Sequence, residues 1–231
     1  MKRRLVLLDI DGTILLSAGA GKRAIHAALA PEVRDPGSFD GIRFDGKTDP
    51  QIVIEMLTGA GEPVPSQARI DQLCDRYAGL LAAELALNGH RTRVLPGVTA
   101  LLDRLEAESS VVLGLLTGNI ARGAELKLRA AGIERSRFQV GAFGSDAAQR
   151  PDLPPIAAGR AVVHFGRRPS GEEVVIIGDT PADVTCGQSI GARAIAVATG
   201  SYTESELTAA GAFAVFNDLG PTDLVMEAIL R

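Results

Sequence analysis

The sequence predicts an α/β fold, a doubly wound parallel sheet with an all-helical module inserted after the first strand. Three observations predict it. The apolar runs at 5–8, 111–116, 174–177 and 194–197 are short and continuous, as strands buried on both faces of a parallel sheet are. Helical patterns lie between them, Leu101, Leu102 and Leu105, then Ala121, Ala124, Leu128 and Ala131, and strands alternating with helices read as a doubly wound domain. Residues 15–93 differ from the rest, because they carry helical spacing and no convincing buried strand.

Taken in order, the first strand ends in Asp9-Ile10-Asp11-Gly12-Thr13. Residues i and i+2 of a strand share a side, so Asp9 and Asp11 point the same way. Like charges that close cost free energy unless a hard divalent cation and a phosphate group use them. Ile25, Ala28 and Leu29, then Ile52, Val53, Met56 and Leu57, then Ile70, Leu73, Cys74, Tyr77, Leu80 and Leu81 give three helical stripes, each read as packing within the module. Asp35-Pro36-Gly37 and Gly59-Ala60-Gly61-Glu62-Pro63 separate them as turns. Gly19-Ala20-Gly21-Lys22 lacks the Ser or Thr and the first glycine of a phosphate loop and reads as a glycine-rich linker. Leu95-Pro96-Gly97 marks the return. The division is thus a core of 1–14 and 94–231 and a helical cap of 15–93, with weaker strands at 139–143 and 214–216. Ligands of open α/β sheets sit beyond the carboxyl ends of the strands, so a module emerging there would cover the site and select what enters.

Bulk properties exclude several classes. The 231 residues are 46% apolar and 23% charged, ordinary for a globular chain with a real core. A formal net charge of −4 argues against nucleic-acid partners, and Lys2-Arg3-Arg4 and Arg167-Arg168 read as solvated clusters. Cys74 and Cys186 form no ligand pair and fit a reducing, cytoplasmic compartment. The run at 5–8 is too short for a membrane span or a signal-peptide core.

Three further features fall at strand ends. Thr117-Gly118-Asn119 can offer a hydroxyl and backbone N–H groups to a phosphate, although Thr117 alone also reads as a helix N-cap. Gly178-Asp179-Thr180-Pro181-Ala182-Asp183 offers one carboxylate at a turn and another one helical turn on; its bland reading is a capping turn. Arg150 precedes Pro151 at the opening of a helix expected over 155–162, as a fixed charge or a surface salt bridge. His26, His90 and His164 match no ligand spacing and read as surface or packing residues.

Together these motifs resemble the haloacid dehalogenase superfamily of phosphohydrolases over nearly the whole chain, most closely the phosphoglycolate phosphatase and β-phosphoglucomutase branch with a helical cap. Asp9-x-Asp11-Gly12-Thr13 is similar to its first motif, Thr117-Gly118-Asn119 to its second and Gly178-Asp179-x3-Asp183 to its fourth. The third motif of that branch carries lysine before proline; here Gln149-Arg150-Pro151-Asp152 stands in its place, and arginine is not an interchangeable point charge. Lys127 is the second choice for that role. The resemblance implies a Mg²⁺-dependent phosphatase acting on a small phosphorylated metabolite such as phosphoglycolate, as a monomer or homodimer. Asp9 would be the nucleophile and Asp11 the acid and base. Asp9 and Asp179 with the Asp11 carbonyl would hold the metal, and Asp183 would bind it through water or orient Arg150. Thr117, Gly118 and Asn119 would hold the phosphoryl oxygens. In capped relatives a segment such as Gly46-Lys47-Thr48-Asp49 can face the site, so Lys47 would meet substrate; the same segment also reads as a helix-opening turn capped by Thr48 or Asp49. A phosphosugar mutase of the same fold and a non-catalytic binding protein are the alternatives.

Overall fold

The computed structural model describes residues 2–88 and 91–231, so that His90 lies outside the described residues. Along the chain run β1 (Arg4–Leu8), β2 (Leu15–Leu16), α1 (Ala20–Leu29), α2 (Asp49–Gly59), α3 (Gln67–Asn88) and β3 (Arg93–Val94). There follow α4 (Val98–Ala107), β4 (Val111–Thr117), α5 (Ala121–Ala130), β5 (Val140–Phe143), α6 (Leu153–Arg160) and α7 (Val162–Phe165). The chain closes with β6 (Val174–Gly178), α8 (Pro181–Cys186), β7 (Arg193–Val197), α9 (Glu204–Ala209), β8 (Ala214–Phe216) and α10 (Thr222–Leu230).

Six strands form one parallel sheet in the order β5-β4-β1-β6-β7-β8. The two-residue period explains its double burial. Val6, Leu8, Leu113, Leu115, Val175 and Ile177 face one apolar layer with Leu101, Leu105, Leu128 and Ile229. Leu5, Leu7, Val112, Leu116, Val174 and Ile176 face the other, with Leu153 and Ala157 of α6. β1 is central, with Leu5 beside Val112 of β4 and Val174 of β6. The chain leaves β1 toward β4 and β5 on one side and reaches β6 to β8 on the other. This reversal of winding opens the crevice in which α/β sheets bind ligands, and it sets the residues after β1, β4 and β6 side by side.

The helical insertion has its own core, in which Phe39, Met56, Leu73, Tyr77 and Leu81 are buried. It enters and leaves through a ribbon too short for sequence patterning to reveal: β2 and β3 pair antiparallel, Leu15 with Val94 and Leu16 with Arg93. Two expectations need correction. Gly21 and Lys22 are not linker; they lie in the first turn of α1, after Gly19 at the N-cap with φ 79°. The buried face of Ala20, Ala24, Ile25, Ala28 and Leu29 outweighs the roughly 1 kcal/mol penalty of one helical glycine. The helix expected over 155–162 begins at Leu153 and is interrupted at Ala161. Pro154 and Pro155 occupy its first turn, where N–H groups have no intrahelical partner to lose. No helix among the described residues is long and apolar enough to cross a membrane.

Candidate active site

Asp9 extends the central ladder by one residue, donating its N–H to the Ile177 carbonyl at 2.9 Å, and the residue is 6% exposed. The chain then turns through Gly12 at φ 80°. A Cβ there would overlap the Asp179 carboxylate, so the left-handed glycine lets the β1 turn and the β6 turn approach. Asp179 accepts from Thr13 Oγ1 at 3.3 Å. Oxygens of Asp9, Asp179 and Asp183 lie within 4.8 Å of one another, all three residues buried.

Asp183 is held from two directions. Thr180 caps α8 and forms a capping box with it: Asp183 Oδ2 accepts from the Thr180 hydroxyl at 2.7 Å and the Thr180 N–H at 3.0 Å. Its other oxygen receives Arg150 Nη2, which also stands 3.3 Å from Asp9 Oδ1. Arg150 is 4% exposed and its Nε–H has no partner among the described residues. Burial raises the Asp9 carboxyl to about 7 against the pull of Arg150. Burial, then the charges of Asp183 and Asp9, raises Asp179 well above the usual carboxylate range. Burial opposes the Arg150 charge, but Asp183 and Asp9 outweigh it and hold the guanidinium firmly protonated.

The donor set fits a hard divalent cation. Every ligand atom is an oxygen, as Mg²⁺ and Ca²⁺ require. Three buried carboxylates against one guanidinium leave two negative charges, the charge such an ion neutralises.

Asp11 belongs to a second cluster. Its Oδ2 receives Lys127 Nζ at 2.6 Å and Asn119 Nδ2 at 2.8 Å, while Lys127 also donates to Asn119 Oδ1 at 2.6 Å. Thr117 is no helix cap: Ile120 occupies that position of α5, and Thr117 Oγ1 accepts from Asn119 Nδ2 at 2.8 Å. Arg150 thus stands with Asp9, and Lys127 with Asp11. Asp9, Asp11, Thr117, Gly118, Asn119, Arg150 and Asp179 share one cavity of about 400 Å³.

The insertion closes over this cavity. Thr48 caps α2 by accepting the Gln51 N–H at 3.2 Å and donates to the Ala148 carbonyl at 2.5 Å. Lys47 lines the cavity with its ammonium paired to Glu55. A Cβ on Gly118 would overlap the Lys47 carbonyl, so glycine lets this segment lie on the β4 turn. Asp49 does more than open a helix. Its N–H donates to the Gly118 carbonyl and its Oδ2 accepts the Ile120 N–H, both at 2.8 Å. Burial raises its carboxyl to about 6, opposed by Lys127 and the Ile120 N–H.

Sequence reasoning missed Tyr77 and Lys22 as cavity residues. Tyr77 belongs to the apolar stripe of α3, and its hydroxyl was the sole sign of another use. Leu80 of the same stripe is 36% exposed rather than packed.

Residues 150–222 match a family model described as HAD-hydrolase-like. A phosphoglycolate phosphatase of Cereibacter sphaeroides is 30% identical over 191 residues, covering 81% of this chain and 82% of that protein. Glycerol-1-phosphate phosphohydrolase 2 of Saccharomyces cerevisiae is 26% identical, covering 86% of this chain and 76% of that protein. The crystal structure of CbbY from Rhodobacter sphaeroides in complex with phosphate superposes with a TM-score of 0.71 at 19% identity, covering 94% of this chain and 95% of that one.

Proposed function

We propose, for a chain that belongs to the haloacid dehalogenase superfamily of hydrolases and to its phosphoglycolate-phosphatase-like branch, that this cavity hydrolyses a small phosphomonoester through an aspartyl-phosphate on Asp9. The observation that carries the reading is the buried set of Asp9, Asp179 and Arg150 sharing one cavity with the more exposed Asp11, with Asp183 behind them against Arg150.

In the first step an Asp9 carboxylate oxygen attacks phosphorus, the bond from phosphorus to the leaving alcohol breaks, and Asp11 gives that oxygen its proton. In the second, water attacks phosphorus, Asp11 takes the water's proton, and the bond to Asp9 breaks to release phosphate. Asp11 suits both proton transfers because its side chain is 42% exposed and meets water, while Lys127 and Asn119 fix its direction. Arg150 orients the Asp9 carboxylate, and its free Nε–H supports a role as a phosphoryl-oxygen donor. The Thr117-Gly118-Asn119 turn supplies further donors. Asp9, Asp179 and the Asp11 carbonyl would hold a divalent cation, proposed as Mg²⁺, with Asp183 behind them, and the ion would offset charge on the carboxylates and the phosphoryl group.

Phosphoglycolate, named for the first relative, is the first substrate to try. The names of the two relatives point to different alcohols, one bearing a carboxylate and one bearing hydroxyls, so identity alone does not choose. The test is hydrolysis of p-nitrophenyl phosphate and phosphoglycolate with Mg²⁺ and with a chelator. Metal-dependent release of phosphate is expected from wild type and none from Asp9→Asn. Absence of turnover with every divalent metal would overturn the reading.

A further inference from the structure

Tyr77 is the largest of the fully buried side chains, at 1% exposure, yet its ring is not merely filler. The residue lines the cavity, and its hydroxyl has no hydrogen-bond partner among the described residues. A Cβ at Gly21 would stand 3.6 Å from this hydroxyl and 3.2 Å from Lys127 Nζ. The absence of a side chain at residue 21 therefore lets α1 lie close against both the tyrosine hydroxyl and Lys127, beside the cluster that holds Asp11. With no protein acceptor, this hydroxyl is available to a ligand group that enters the cavity. Asp49 lines the same cavity from the start of α2; its Oδ2 is engaged by Ile120, and its Oδ1 has no partner among the described residues.

We propose that Tyr77 and Asp49 read a hydroxyl on the leaving alcohol, so that the substrates preferred are phosphate monoesters of polyols. This rests on the phosphatase reading and narrows its substrate class. A hydroxyl serves both groups at once: its oxygen accepts from Tyr77 and its hydrogen goes to Asp49. A carboxylate in the same place would accept from Tyr77 but would meet Asp49 as a like charge, and the nearby Lys127 ammonium is already taken up by Asp11 and Asn119. Burial and the neighbouring carboxylates of Asp49 and Asp11 keep the tyrosine protonated, as a donor must be. Lys22, exposed on the cavity rim, is the group that would draw a carboxylate instead, and the experiment reads that case as well.

The matched probes are glycerol 1-phosphate and n-propyl phosphate, equal in carbon count and differing in two hydroxyls, with phosphoglycolate as the third. Wild type is expected to favour glycerol 1-phosphate over n-propyl phosphate by roughly tenfold or more in kcat/KM, the effect of one or two recognised hydrogen bonds. Tyr77→Phe, which keeps the ring, should bring the two esters to within a few-fold, chiefly by raising KM for the glycerol ester. Equal loss on both esters would mean a packing role and overturn the proposal, as would an unchanged ratio or a wild-type preference for phosphoglycolate. Absence of hydrolysis of any ester, p-nitrophenyl phosphate included, would instead bring down the phosphatase reading and this one with it.

Discussion

The two walls of the cavity are built on opposite plans. On the sheet side Asp9, Arg150, Asp179 and, behind them, Asp183 are each at most 6% exposed, and each is fixed by a protein partner: Arg150 by Asp9 and Asp183, Asp183 also by Thr180, and Asp179 by Thr13. On the helical side Lys22 is exposed, Lys47 turns to Glu55, and Tyr77 keeps its hydroxyl free. A wall whose side chains are held in place by protein partners is preorganised and does the same thing to every substrate. Hydrogen-bonding capacity that no protein group takes up is left for a ligand to displace water and complete, which is how selectivity arises. Under the proposed function, the chemistry belongs to the sheet and the choice of alcohol to the helices.

The largest effect that would break this contrast is at Asp9. Asp9→Asn should lower kcat by at least about 10⁴-fold, as loss of a nucleophile does, with an unaltered circular dichroism spectrum. Retained turnover would move the chemistry elsewhere. Next comes Arg150→Ala, expected to lower kcat by roughly 10²- to 10³-fold and to destabilise the fold by about 3 kcal/mol by stranding buried carboxylates. If Lys127→Ala slows the reaction more, the cation of the third motif is Lys127, and the contrast shifts toward the Asp11 cluster.

Metal addition offers a reading without turnover. Mg²⁺ should raise the melting temperature of wild type at neutral pH by several degrees, since ligand at about 100 times its Kd adds about 2.7 kcal/mol. Asp179→Asn should lose most of that rise in the same calorimetric scan.

The smallest expected effect concerns the seam where the two walls meet. Burial raises the Asp49 carboxyl to about 6, above the 3.8 of a free carboxyl. The folded state therefore binds the proton more tightly than the unfolded chain, and this residue's contribution to stability falls as pH rises from about 4 to about 6. Asp49→Asn keeps an acceptor for Ile120 and removes the buried charge. Its unfolding free energy should match wild type near pH 4 and exceed it by up to about 3 kcal/mol at pH 7. A variant less stable than wild type at pH 7 would mean that attraction to Lys127 dominates at the seam.

Much of the sheet side was legible because its signals are local. A continuous apolar run followed by Asp9-x-Asp11-Gly12, or by Gly178-Asp179, states both a strand and what stands at its end. The weaker runs at 139–143 and 214–216 became β5 and β8 nearly as read. The helical side resisted for physical reasons. Gly21 looks like linker in sequence, but the buried face of α1 makes it helical. Tyr77 sits at core spacing, and only the fold brings its hydroxyl near Lys127. Asp49 was readable as a helix opener, whereas its bond to Ile120 joins residues 71 apart. Two residues per strand give no periodicity, so β2 and β3 had no pattern to find.

That short ribbon has an evolutionary consequence. Because the insertion departs at Leu16 and returns at Arg93, directly across the ribbon, its two ends meet almost at a single point on the sheet. A segment attached in this way is exchangeable as a cassette, provided it keeps an apolar patch for Ile120. Grafting the corresponding stretch from a relative between those two residues should transfer that relative's appetite to this scaffold while the catalytic acids stay where they are.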